Sequence, residues 1–368
     1  MRKRVAIISI VSLLIIGAAE EIIPPFYDEP REFVLTFVGD VMSHRENIRS
    51  EPYNEAFRLV ADDLGFGDLT FANFEFVLDE SRPPSGYPRF NAPISFADAA
   101  IGAGVNVVSL ANNHSADLGV DGIVATKRAM DRYRESHGVV SSGILADPTE
   151  RFAIERIEID DFSVGFLAVT GFLNLGINTE LVNIVDYNRS DQTAELIHIV
   201  AENRDRYDLF VLSFHGGIEY SSEPEEAKER FFGELIDAGV DVVWAHHSHV
   251  LQPWRLHHGQ VRSGLIMYSL GNFISAQSFY LNVNRLDDSR SPRGESIMLR
   301  LFVSPGGDIK EVESIPIIHL RDDEGFIRVL PLSELDSISL SDAATRFYQR
   351  RVESLNRYVD ENKIRDRF

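Results

Sequence analysis

Six times along the chain a short apolar, β-branched run stops abruptly at a polar cluster. Phe33–Val38 leads into Gly39-Asp40, Leu69–Ala72 into Asn73-Phe74-Glu75, and Val105–Leu110 into Ala111-Asn112-Asn113-His114. Leu209–Ser213 leads into Phe214-His215-Gly216-Gly217, Val240–Ala245 into His246-His247-Ser248-His249, and Leu265–Leu270 into Gly271-Asn272-Phe273. Continuous apolar runs of this length fit strands covered on both faces. Helical stretches lie between them. Ser95–Ala103 and Glu223–Ala238 are the plainest, with Gly104 and Gly239 where C-caps belong. The alternation predicts an α/β layered fold. In such sheets ligands gather beyond the carboxyl ends of the strands, where these polar clusters sit. Phe162–Val169 and Ile297–Val303 are further strand candidates. Arg82–Pro93 reads as a Pro-rich loop over the site, and Ser341–Asn362 as a surface helix packed through Phe347, Val352, Leu355 and Tyr358.

The N-terminus has a different character. Arg2, Lys3 and Arg4 precede an apolar run, Val5–Ala19, that ends in small residues and is followed by Glu20 and Glu21. Fifteen helical residues span roughly 22 Å, short of the roughly 30 Å hydrocarbon core, so length favours a cleaved signal peptide over a signal-anchor. Either reading places the body outside the cytoplasmic membrane, secreted or anchored on its outer face. Pro24, Pro25 and Pro30 mark a spacer. The chain of 368 residues has no cysteine, which excludes disulfides, thiolate metal sites and Cys nucleophiles. Its formal charge of −21 repels phosphate backbones, so nucleic acid is not expected as a partner. An anionic ligand needs a local basic patch or a bound cation to overcome that field.

Asp40, Glu75, Asn113, His114, His215, His247 and His249 are the candidate chemistry. Carboxylate, amide oxygen and imidazole together suit divalent Mn, Zn or Fe, as one ion or two. Two such ions about 3.5–4 Å apart can activate a water between them. Each residue alone has an ordinary reading: Asp40 as a cap, Glu75 as a solvated loop carboxylate, Asn112-Asn113 as a turn. His247-Ser248-His249 is the sharpest local signal, because alternate residues of an extended strand share one side. The neighbouring His257-His258 reads as part of a turn.

The strings Val38–Met42, Ala72–Glu75, Ser109–His114 with Asp117 and Gly119, His215–Tyr220, His247–Gln252 and Tyr268–Phe273 resemble the CapA-type capsule (poly-γ-glutamate) synthesis family. The resemblance covers roughly Phe33 to Phe273, and Phe90–Pro93 adds to it. It implies an α/β four-layer αββα sandwich of the metallophosphoesterase type. It also implies that Asp40 and His249 hold a first metal, that Asn113, His215 and His247 hold a second, and that Glu75 bridges them. His114 becomes the acid or oxyanion donor, with Asp117 orienting it. Met42 stands where the wider superfamily has a histidine, which leaves the first position short of a ligand unless His44 or water completes it. Arg45, Asn73, Arg89, Glu219 and Asn272 are candidate substrate contacts.

The expected organisation is a signal peptide or signal-anchor over 1–21, a linker over 22–31, a CapA-like domain over 32–305 and a partly helical C-terminal extension over 306–368. Three functions are open on the sequence. One is a capsule protein with hydrolase-like chemistry on an anionic polymer, working with membrane-bound polymer synthesis proteins. The second is a general metal-dependent phosphoesterase. The third is a non-catalytic, metal-containing assembly subunit of a polymer export system.

Overall fold

The computed structural model describes residues 31–364 apart from 178, 261 and 286. The expected signal segment and nearly all of the linker lie outside the described residues. Two sheets form the centre. In chain order the strands are β1 (Phe33–Val41), β2 (Leu69–Phe74), β3 (Val107–Ser109), β4 (Val140–Ser142), β5 (Glu155–Ile159), β6 (Phe162–Thr170) and β7 (Leu209–His215). They continue as β8 (Val242–His246), β9 (Leu251–His258), β10 (Ser263–Leu270), β11 (Asn272–Ile274), β12 (Glu295–Val303), β13 (Ile309–Arg321) and β14 (Ile327–Pro331). One sheet runs β14-β13-β12-β1-β2-β3-β4 with β11 also paired to β1; the other runs β5-β6-β7-β8-β10-β9.

Strand alternation builds the layers. In the second sheet Val164, Phe166, Val211, Val242 and Trp244 join one core with the first sheet, whereas Leu167, Val169, Leu212, Val243 and Ala245 join another. The second core is closed by Leu196 and Val200 of the helix Ser190–Asn203 and by Phe231, Phe232 and Leu235 of Glu226–Ala238. Period-two side chains thus serve two faces, as fully covered strands require. Between the sheets Phe71 meets Phe166 edge-on at 5.5 Å, and Phe37 meets Trp244 at 5.7 Å. On the far side of the first sheet, Phe96 and Ala100 of Ile94–Gly102 and Ile123 and Met130 of Gly119–His137 complete its cover. The result is the four-layer αββα sandwich. Among the described residues no helix is long and apolar enough to cross a membrane.

Residues 306–364 do not stand apart. β13 and β14 extend the first sheet beyond β12, and Ile318, Leu320 and Leu330 pack with Phe347 and Tyr348 of the helix Asp342–Asn362. The chain from Arg31 onward clusters as one unit, so no boundary falls near 305. Ser341 caps that last helix by accepting the Ala344 amide at 3.3 Å. Two helices left unassigned by the sequence reading, Gly119–His137 and Ser190–Asn203, are present. The pair His257-His258 ends β9 and is not a turn.

Candidate metal centre

Strands β1, β2 and β3 run parallel in one sheet, and β6, β7, β8 and β10 run parallel in the other. Their carboxyl ends lie at the same edge. A register shift between Phe37 and Asp40 sets the first ligand position: Phe37 pairs with Phe71, but Asp40 pairs with Asn73. Simple alternation would have sent Asp40 to the opposite face from Phe37. The extra residue re-aims its carboxylate between the sheets, a common use of a bulge. Gly39 is required there, because a Cβ would lie 1.8 Å from the Gly271 carbonyl oxygen.

The groups from distant stretches converge. Asn73 Nδ2 donates to Asp40 Oδ1 at 2.8 Å and lies 3.2 Å from His215 Nδ1. His215 Nε2 is 3.2 Å from His247 Nδ1 and 3.8 Å from Glu75 Oε1. His249 Nδ1 is 3.2 Å from Asp40 Oδ2, and its Nε2 is 3.8 Å from Glu75 Oε1. His114 Nε2 is 3.9 Å from the same Glu75 oxygen, while its Nδ1 is 2.7 Å from Asp117 Oδ2. Donor atoms of Asp40, Glu75 and His249 lie within 4.8 Å of one another, as do those of Glu219, His247 and His249.

The imidazoles are not presented by an extended strand. β8 ends at His246, and His247 and His249 sit in the following loop with φ of 94° and 57°. Left-handed backbone at a non-glycine residue costs energy and persists where surrounding structure imposes it. The loop therefore carries strain at the two positions whose rings face the centre.

Electrostatics call for a positive partner. Asp40 Oδ2, both Glu75 oxygens and Asn113 Oδ1 are buried and accept no hydrogen bond. Each such orphan costs about 1–3 kcal/mol. Burial, with the carboxylates of Asp40, Glu219 and Asp117 nearby, raises the Glu75 carboxyl well above its usual range. Burial pushes Asp40 the same way, but His249, His246 and Asn73 outweigh it and hold its carboxyl below the usual value. Burial and the neighbouring imidazoles depress His215 far below 6.5 and bring His247 to about 3. Neutral imidazoles beside orphaned carboxylate and amide oxygens form the donor set of a divalent cation. The residues present therefore fit one or two such ions.

Residues 34–277 match the family described as Bacterial capsule synthesis protein PGA_cap. This chain belongs to that family. Capsule biosynthesis protein CapA of Bacillus anthracis is 26% identical over a 289-residue alignment that covers 74% of this chain and 68% of that protein. PGA biosynthesis protein CapA of Bacillus subtilis (strain 168) is 29% identical over a 256-residue alignment that covers 66% of this chain and 63% of that one. A hypothetical protein from Thermus thermophilus superposes with a TM-score of 0.47 at 19% identity, over 77% of this chain and 98% of that chain. A 5′-nucleotidase precursor from the same organism gives 0.43 at 10% identity, over 88% and 59%.

In this PGA_cap member the remaining sequence candidates fall in different places. Asn73 and Asn272 are fully buried and face inward: Asn272 Nδ2 donates to the carbonyls of His249 and Arg293, and its Oδ1 is 3.1 Å from His249 Nδ1. They hold Asp40 and His249 in place and expose no surface of their own. Glu219 is exposed at the rim of the centre. Arg45 and Arg89 lie outside it, in a neighbouring cavity. Met42 is buried, with Gln277 Nε2 at 3.9 Å from its sulfur. His44 belongs to none of the candidate cation-holding groups among the described residues. Its Nδ1 accepts the Ala276 amide at 3.3 Å, and its ring rests on Phe90.

Two participants escaped the sequence reading. His246 is buried with both nitrogens unpartnered, and a donor atom lies within 4.8 Å of Asp40 and His215. The signal was parity: Trp244, two residues earlier, donates from Nε1 to the Val38 carbonyl across the sheets at 3.0 Å, so His246 faces the same way. Asn174 Nδ2 sits 3.2 Å from His114 Nε2, and no pattern in its loop announced it.

Proposed function

We propose that this family member works outside the cytoplasmic membrane in capsule or poly-γ-glutamate production, handling an anionic polymer at a divalent-metal centre with hydrolase-type chemistry. One observation carries the reading: buried, unpartnered oxygens of Asp40 and Glu75 lie within 4 Å of the imidazoles of His215 and His249, and His247 adjoins His215. Asp40, Glu75 and His249 would hold one ion, and Glu75, Asn113, His215 and His247 a second. A divalent ion supplies Lewis-acid polarisation of a bound oxygen and activation of water. The basic residues before Val5–Ala19 support the extracytoplasmic location.

The chain's own groups have definable tasks. Asp117 Oδ2 accepts from His114 Nδ1 and also from the Phe90 amide at 2.7 Å, which fixes the imidazole tautomer and its direction. His114 Nε2 then faces the centre and exchanges a proton with a leaving group there. Phe90 packs edge-on against that ring at 4.6 Å and excludes water from one side of it. The His114–Asp117 pair also favours a second reading, a general phosphoesterase, because the same proton transfer serves a phosphate ester.

Elemental analysis of the purified protein tests the first claim. It should contain Mn, Zn or Fe, and Asp40→Ala should lose the metal. His114→Ala should keep the metal and lose turnover. A folded protein with no cation content and no cation affinity in a titration would end the proposal. Turnover of an aryl phosphate with none of a γ-glutamyl polymer would favour the phosphoesterase reading.

A further inference from the structure

Beside the metal centre lies a cavity of about 570 Å³ whose wall contains Arg45, Arg49 and Arg89, together with Tyr87 and Leu118 and no acidic residue. All three arginines are exposed, and among the described residues none makes a side-chain hydrogen bond or ion pair. Arg300 is answered by Asp63 and Glu313, Arg328 by Asp322 and Glu55, and Arg351 by Glu295. In a chain with formal charge −21, three cations without an ion pair line one hollow that holds no acidic residue. Holding them together costs mutual repulsion that an anion relieves.

The hollow is built, not incidental. The loop carrying Tyr87 and Arg89 is pinned at its base by reciprocal backbone bonds between Ser85 and Asn91, and Asn91 Nδ2 donates to the carbonyls of Asp79, Arg82 and Pro83. Next to that base Gly86 presses on the other wall, where a Cβ would lie 2.4 Å from the Arg45 amide nitrogen. Both walls connect directly to the centre. Arg45 follows His44 and Arg89 precedes Phe90, and those two rings meet at 5.0 Å before Phe90 reaches His114. Leu118 follows Asp117.

We propose that Arg45, Arg49 and Arg89 form a subsite for an extended polycarboxylate, seating the anionic side groups of a chain whose neighbouring unit lies at the metal centre. The inference rests on the polymer reading above and adds the residues that recognise the polymer. Guanidinium forks bind carboxylates two bonds at a time, so three of them suit a ligand with several carboxylates better than a single phosphate monoester. Tyr87, 71% exposed, offers a flat face for the aliphatic part of each unit.

Calorimetric titration of the metal-loaded full chain with a six-residue γ-linked oligoglutamate tests this. The triple variant Arg45→Gln, Arg49→Gln, Arg89→Gln should bind at least about tenfold more weakly, in line with the loss of several charge-assisted bonds. Its metal content and melting temperature should be unchanged. The Arg→Lys triple should recover part of the loss, since charge remains and the fork does not. Equal affinity of wild type and Gln variant, or equal affinity for the uncharged amide form of the oligomer, would overturn the subsite. Binding of tripolyphosphate with none of oligoglutamate would overturn the ligand class. A wild-type protein that holds no metal would sink the centre's reading alone, since the same comparison of wild type with the Gln variant on the metal-free chain still decides the subsite.

Discussion

Glu75 is the residue on which the centre balances. Both of its oxygens are buried without a hydrogen-bond donor, and its carboxyl is held well above the usual range by burial and by Asp40. In the cation-free protein it favours the neutral form, so Glu75→Gln should leave metal-free stability equal or raise it. The same change should abolish most of the melting-temperature gain on adding Mn or Zn, which in wild type follows ligand excess over Kd. Thermal scans with and without metal check both halves. A second residue sets a pH response away from the ligands. His319 is buried, and burial brings its imidazole to about 4 despite the Asn272 carbonyl that Nδ1 faces. Its folded pKa lies below the unfolded value, so the unfolded chain binds the extra proton as pH falls. Stability is full above about pH 6.5 and declines down to about pH 4, by on the order of 3 kcal/mol from this group. Urea unfolding of His319→Gln should show a shallower loss between about pH 7 and 5 than wild type. Asp40, Glu75, His215, His247 and His249 were legible because each follows an apolar run directly. The bulge that aims Asp40 and the left-handed backbone at His247 and His249 were not, since both arise from pairing between residues far apart in sequence.

Among elements, β8 ties the sheets together. Trp244 is fully buried between them, reaches the Val38 carbonyl, and stands edge-on to Phe37, Phe71 and the His246 ring. Trp244→Ala should cost about 3–5 kcal/mol and loosen the floor of the centre. Denaturant unfolding gives the first number, and weaker metal binding at unchanged ligands gives the second. Strands such as β1, β6 and β10 could be read from sequence because they are apolar on both faces. β13 escaped because Lys310, Glu311 and Glu313 interrupt it and Pro316 sits within it. Its apolar residues divide between the main core, through Ile309 and Ile317, and the cluster with the last helix, through Ile318 and Leu320. Gly119–His137 escaped because glycines open it, yet Ile123, Met130 and Tyr133 line its buried side.

At the scale of the whole molecule, the end of the chain completes its beginning. β12 pairs antiparallel with β1 on one side and with β13 on the other, and the Arg351 guanidinium answers the buried Glu295 carboxylate at the start of β12. Stopping the chain at 305 would strip β12 of its partner and leave Glu295 buried without its counter-charge. Such a truncation should give no cooperative thermal transition, whereas the full chain should unfold in one. The same pairing governs what happens while the protein is being made. β1 waits for a strand about 260 residues later before that flank closes, and closing so large a loop is slow. Until residue 303 has been made, the β12 side of β1 has no partner strand, so one flank of the first sheet stays open through most of synthesis.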